Sequence, residues 1–205
     1  RLRHHTNPLT FRPERLQVPD WDARLGGAPQ EVDIGIGMGD FLCAYAAAHP
    51  ERRMVGLEVR EAFCNEAKLR IEQAGLTNAA VGYVDATRFI DEVLPEQSIE
   101  RAFISFPDPW FKKRHHKRRL VGSDFLVRLH RVLRKDAELL VQSDNQAVIE
   151  DIVAQLDASP LFANANGEGV QVEAPFTPFR TEREAYYERK GWPVWRYRYL
   201  PVPSA

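Results

Sequence analysis

The sequence predicts an α/β fold built on a mostly parallel sheet with helices on both faces. Apolar, β-prone runs recur at Glu31–Ile36, Met54–Glu58, Ala80–Val84, Ile99–Phe106 and Ala137–Gln142. Apolar residues at helical spacing fall between and after them: Phe63, Ala67, Ile71 and Ala74, then Phe125, Leu129 and Leu133, then Val148, Ile152 and Leu156. Strands alternating with helices imply parallel neighbours, and a parallel sheet needs cover on both faces. With 205 residues, 44% of them hydrophobic, the chain suits one compact domain with a full core.

Residues 1–29 are rich in Pro and Arg with little periodicity and read as an irregular arm, leaving residues 30–205 as the domain. The first strand runs through a glycine loop into a helix. The Phe63 helix follows the second strand and stops at Gly75, and Ser123 is placed to N-cap the Phe125 helix. The aromatic tail from Trp192 to Leu200 is β-prone and supplies a last, antiparallel strand.

The charges nearly balance, with 28 Lys plus Arg against 29 Asp plus Glu, so the chain is not a generic nucleic-acid coat. Six of the 28 cations nevertheless fall within residues 112–119, so affinity for polyanions is local. Cys43 and Cys64 sit in apolar helical patterns without metal-ligand spacing, as buried reduced thiols in the cytoplasm would. Arg1 to Leu16 lacks the apolar core of a signal peptide, and no stretch approaches the ~20 apolar residues of a membrane span. A cytoplasmic protein without a metal site is expected, either a monomer or a homodimer.

The loop Asp33-Ile34-Gly35-Ile36-Gly37-Met38-Gly39-Asp40 joins a strand to a helix. Its glycines allow a tight turn and close approach of a ligand to the backbone. In a dinucleotide fingerprint the third glycine would fall at position 40, where Asp40 would instead repel a pyrophosphate. A cationic, phosphate-free ligand such as S-adenosylmethionine suits the acid. Glu58 ends the second strand, where a carboxylate can accept both ribose hydroxyls. Asp85 follows the third strand, in reach of an adenine amino group, and Asp108 follows the fourth. In open parallel sheets ligands sit beyond the carboxyl ends of the strands, so these acids should share one crevice. Each acid alone also suits a helix N-cap.

The segment after the fourth strand is the most informative. Pro107 and Pro109 restrict the backbone around Asp108, Trp110 follows, and residues 112–119 are all Lys, Arg or His. An acid to read a base edge, a ring for stacking and cations for phosphates together suit chemistry on a nucleic-acid base. A proline-punctuated loop with a solvated basic surface has the same composition.

Six motifs in order resemble the bacterial tRNA (guanine-N7)-methyltransferase family: DIGIGMG (33–39), GLEV (56–59), VDA (84–86), FPDPWFKKRHHKRRL (106–120), SDN (143–145) and TEREAYYERKG (181–191). The resemblance implies a doubly wound, Rossmann-like class I methyltransferase sheet of seven strands, with an antiparallel C-terminal strand. It implies S-adenosyl-L-methionine as donor and, as acceptor, the guanine in the variable loop of tRNA, guanine 46. By position, Asp33, Gly35, Gly37, Gly39, Glu58, Asp85 and Asp108 would hold the donor, with Asp108 as the catalytic residue. Lys112, Asp144, Thr181 and Glu184 would bind substrate, and Arg114, Lys117, Arg118 and Arg119 would contact phosphates. Asp33 stands where the family usually has Glu, one methylene longer, which points to a water-mediated donor contact. Asn145 replaces a common aromatic.

Guanine N7 carries a lone pair and no proton, so methyl transfer needs in-line placement rather than a general base. That matches a candidate site with no evident His or Lys base. A class I methyltransferase acting on another RNA, a protein or a small molecule fits the loop and acids equally but leaves the basic run unused. A nicotinamide oxidoreductase is disfavoured by Asp40, and a non-enzymatic RNA-binding module has no use for the donor-site acids.

Overall fold

The computed structural model describes residues 11–109 and 120–203. Its sheet has seven strands: β1 (Glu31–Ile34), β2 (Met54–Glu58), β3 (Ala79–Tyr83), β4 (Ile99–Ser105), β5 (Leu133–Ser143), β6 (Phe162–Asn164) and β7 (Trp195–Pro201). They lie in the order β3-β2-β1-β4-β5-β7-β6. The first five are mutually parallel, β7 runs antiparallel to β5, and β6 runs antiparallel to β7. The helices are α1 (Trp21–Leu25), α2 (Asp40–Ala48), α3 (Glu61–Gln73), α4 (Ala86–Val93), α5 (Ser123–Val132), α6 (Gln146–Asp157) and α7 (Glu182–Lys190).

Every residue of β1, β2 and β3 is buried, as a sheet covered on both faces requires, and Glu31, Asp33 and Glu58 are buried along with the apolar side chains. The two-residue strand period divides the core. Val32, Ile34, Val55, Leu57, Ala102, Ile104, Leu139 and Val141 pack in one cluster with α1, α4, α5 and α6. Met54, Phe103 and Leu140 point the other way, into a cluster with Phe41, Leu42, Ala67 and Ile71 of α2 and α3. Asp33 alternates with Val32 and Ile34, and Phe103 is its β4 partner, which sets it on this second face.

Local chemistry shifts several expected boundaries. Gly35 at φ 84° ends β1 two residues early, and Phe106 at φ 53° ends β4 at Ser105. Ser123 does not cap α5. Gly122 is the N-cap, with extended backbone at φ −160°, and Ser123 is the first helical residue. Leu133 has the buried position expected of it but leaves the helix, because its ψ of 138° starts β5 beside Ile99. Gly75, at φ 63°, lies just beyond α3. The described part of the arm is more regular than its composition suggests. Asp20 caps α1, Trp21 is buried, and Gln17 exchanges two backbone hydrogen bonds with Tyr83 at the β3 edge. Phe11 packs against the rings of Tyr83 and Phe89. Cys64 is buried, Cys43 half-buried, and neither is in a disulfide.

Candidate active site

Five strands pointing the same way carry their following loops to one edge of the sheet. The strand order sets the loops side by side as β3, β2, β1, β4 and β5, with Asp85, Glu58, the glycines, Asp108 and Asp144 in that sequence. Gly35, Glu58, Asp85 and Asp108 line a single pocket, with Leu57, Val84, Ala86 and Leu120 among its apolar walls. Gly37 and Gly39 shape the loop without lining that pocket. The Gly37 N–H donates to the Glu58 carboxylate at 3.0 Å. Gly39 closes the turn onto α3, where a Cβ would stand 2.8 Å from that of Ala67. Asp40, the first residue of α2, is ion-paired with Arg70 of α3.

Glu58 is buried and heavily engaged. One carboxylate oxygen accepts from the Val59 and Arg60 N–H groups and from Arg60 Nε, each at 2.9 Å. The other accepts from Gly37 and from Arg60 Nη2, both at 3.0 Å. The Arg60 guanidinium also lies 3.9 Å from the centroid of the Phe63 ring. Asp33 is not among the residues that line the pocket; it is 3% exposed, and burial together with the Glu58 charge pushes its carboxyl up to about 7. Burial likewise pushes the Cys64 thiol up to about 12, and its Sγ lies 3.4 Å from the Glu58 carbonyl oxygen.

Asp85 is both a helix cap and a pocket acid. Its Oδ1 accepts from the Thr87 N–H at 3.1 Å and the Thr87 hydroxyl at 2.6 Å as it caps α4, and burial raises its pKa. The loop after β4 starts from a non-glycine residue in the left-handed region: Phe106 at φ 53°, its N–H held by the Gln142 carbonyl at 2.9 Å. Such backbone costs ~1–3 kcal/mol and persists where its surroundings fix it. It delivers Pro107 and Asp108 to the pocket wall.

A second cluster lies beyond β5. Arg183 of α7 clamps the buried Asp144 carboxylate through Nε at 2.8 Å and Nη2 at 2.6 Å, with Tyr187 one turn further along the helix. The Arg183 guanidinium lies 6.0 Å from the Phe106 ring, which joins this cluster to the pocket. Thr181 N-caps α7 by accepting from the Glu184 N–H at 3.1 Å. The Glu184 carboxylate turns inward to Arg196 at 2.7 Å and Gln142 at 3.2 Å. Sequence reasoning missed Arg60, Gln142, Tyr187 and Arg196, whose roles depend on partners brought together by the fold. Trp110, Lys112, Arg114, Lys117, Arg118 and Arg119 lie outside the described residues. Among the described residues, no group of three His, Cys, Asp or Glu side chains is placed to hold a metal, and no helix is long and apolar enough to cross a membrane.

The chain is similar to known proteins over most of its length. A family profile described as "Putative methyltransferase" matches residues 27–197. A tRNA (guanine-N(7)-)-methyltransferase of Synechococcus elongatus is 35% identical over 213 aligned positions, covering 100% of this chain and 98% of the relative. One from Leifsonia xyli is 36% identical, covering 90% and 82%. Among solved structures, the antibiotic-resistance methyltransferase Kmr superposes with a TM-score of 0.63 at 18% identity, over 91% of this chain and 93% of that one. A point mutant of the 16S rRNA (adenine(1408)-N(1))-methyltransferase from Catenulisporales acidiphilia gives 0.60 at 17%, over 91% of each. At those identities the two structures speak for the fold alone.

Proposed function

The chain belongs to the tRNA (guanine-N7)-methyltransferase family, and on that premise we infer that it moves a methyl group from S-adenosylmethionine to N7 of a guanine in tRNA. The acceptor we propose is the variable-loop guanine, position 46. The observation that carries this reading is the pocket shared by Gly35, Glu58, Asp85 and Asp108 at the carboxyl ends of β1 to β4.

The residues present fit the donor. Buried carboxylates beside an apolar wall suit a ligand that is cationic, carries a ribose and an adenine, and lacks phosphate. Glu58 is proposed to accept the ribose hydroxyls, Asp85 the adenine amino group through its second carboxylate oxygen, and Asp33 to face the donor's charge through water. When bound, the donor supplies a sulfonium methyl: the S–C bond breaks as the C–N7 bond forms, sulfur ends as a thioether, and the positive charge passes to the guanine ring. No proton leaves.

Asp108 is proposed to accept from the guanine N1–H or N2 amino group. That contact orients the ring, drives electron density toward N7 and stabilises the cation that forms. Asp144 is proposed to bind substrate. Thr181 and Glu184 serve that role through α7, and the support is their cap and their inward ion pair. Lys112, Arg114, Lys117, Arg118 and Arg119 are proposed from sequence as tRNA contacts, the latter four to phosphates. Incubation with methyl-labelled donor and unmodified tRNA tests the reading. Label in the RNA supports it, and label only in protein or small-molecule acceptors points to a class I methyltransferase of another specificity.

A further inference from the structure

Among the described residues, the C-terminal end of α7 carries exposed aromatic rings that the pocket does not use. Trp192 is 50% exposed and Tyr186 43% exposed, and both rings meet Tyr187 at the C-terminal end of α7. None of the three belongs to either core cluster. The arrangement is fixed rather than incidental. Gly191 at φ 65° ends the helix, and the Trp192 N–H returns to the Tyr187 carbonyl at 3.0 Å, setting the indole against Tyr187 with centroids 5.3 Å apart. The rings meet edge to face, at 69–80°, so they are not stacked on one another.

Two observations select the partner. Arg189 and Lys190 are exposed in the last turn of α7, with the Lys190 ammonium 6.0 Å from the Tyr186 centroid, so cations flank the rings as phosphates would require. Tyr187 follows Arg183 by one turn of α7, and Arg183 holds Asp144 at 2.8 Å, which ties the aromatic cluster to the acid at the end of β5.

We propose that Tyr186, Tyr187 and Trp192 form a stacking platform for an unpaired nucleotide of the tRNA, beside the target guanine. The proposal rests on the tRNA reading. Aromatic rings accept any base face, and an unstacked nucleotide next to an extruded base needs such a surface.

The test uses the full chain and an unmodified, fluorescently labelled tRNA, with affinity read by anisotropy and S-adenosylhomocysteine affinity by calorimetry. Stacking of ~1–3 kcal/mol per base corresponds to a roughly 5- to 150-fold change. Trp192→Ala combined with Tyr186→Ala is expected to weaken tRNA binding at least about fivefold with S-adenosylhomocysteine affinity unchanged, while Trp192→Phe, which keeps a ring, stays within about twofold of wild type. Unchanged tRNA affinity in the double variant overturns the platform. So does an equal loss of S-adenosylhomocysteine binding, or a change in mass by light scattering, which would make the face a contact between copies of the chain. If wild type transfers no methyl yet the double variant still binds tRNA more weakly, the methylation reading falls and the platform stands.

Discussion

The Arg60 guanidinium grips both oxygens of Glu58, through Nε at 2.9 Å and Nη2 at 3.0 Å, in the pocket assigned to the donor. Ribose hydroxyls would have to share those oxygens with Arg60. Three backbone N–H groups, from Gly37, Val59 and residue 60, still hold the carboxylate if the guanidinium is removed. Arg60→Ala should therefore tighten S-adenosylhomocysteine by up to about tenfold, whereas Glu58→Ala should weaken it by at least that factor. Calorimetry reads both. Weaker binding in Arg60→Ala would make the arginine a support for the site rather than a competitor.

Asp33 makes stability depend on pH. In the unfolded chain its carboxyl ionises near 3.8, and in the folded protein near 7. Between those values the folded state holds a proton that the unfolded chain has released. This contribution is complete below pH 4, is lost as pH rises toward 7, and is flat above that. A shift of that size is on the order of 4 kcal/mol. Asp33→Asn should flatten the curve and be more stable than wild type at pH 8. Urea unfolding from pH 5 to 8 checks it, as a difference between the two proteins, because Asp85 is shifted the same way in both. Parallel curves would mean that Asp33 is ionised throughout.

The existence and order of β1 to β5 were legible from their apolar, β-prone runs, while several of their ends moved with local backbone geometry, as at Gly35 and Phe106. Glu58, Asp85 and Asp108 could be placed together because parallel strands bring their following loops to one edge. What stayed hidden depends on contacts distant in sequence. Arg60 matters only because it folds back on Glu58, and Arg196 matches Glu184 only once β7 lies beside β5. Short elements were also missed: α1 has five residues, too few to display a helical period. Ser123 suits a cap by residue type, but the extended backbone that a cap needs belongs to Gly122.

Glu184 should behave as a pin for α7. Arg196 is 6% exposed and keeps Gln142 at 3.2 Å and Glu188 at 3.5 Å, so losing Glu184 removes its closest partner without stranding the charge, at a cost of about 1.5–3 kcal/mol. For a chain of this size, Glu184→Ala should lower the melting temperature by roughly 5 °C, with Glu184→Gln falling between. A fall of under about 2 °C would remove the structural role and leave only a substrate contact.

Asp108→Asn keeps the shape of the loop and removes the charge. Turnover should fall by about 100-fold or more, as for loss of an electrostatic contact made at the reacting group, while tRNA affinity changes little. Equal losses in turnover and in tRNA binding would instead make Asp108 part of the Pro107–Pro109 turn alone.

The chemical identity of the product decides whether this chain is a tRNA N7-methyltransferase. An unmodified tRNA transcript is incubated with the protein and S-adenosylmethionine, digested to nucleosides and analysed by mass spectrometry. One methyl per tRNA is expected, recovered as N7-methylguanosine, and lost when the variable-loop guanine is replaced by adenine. Methylation of another atom or nucleotide, or tight S-adenosylhomocysteine binding with no methyl on tRNA, would contradict it.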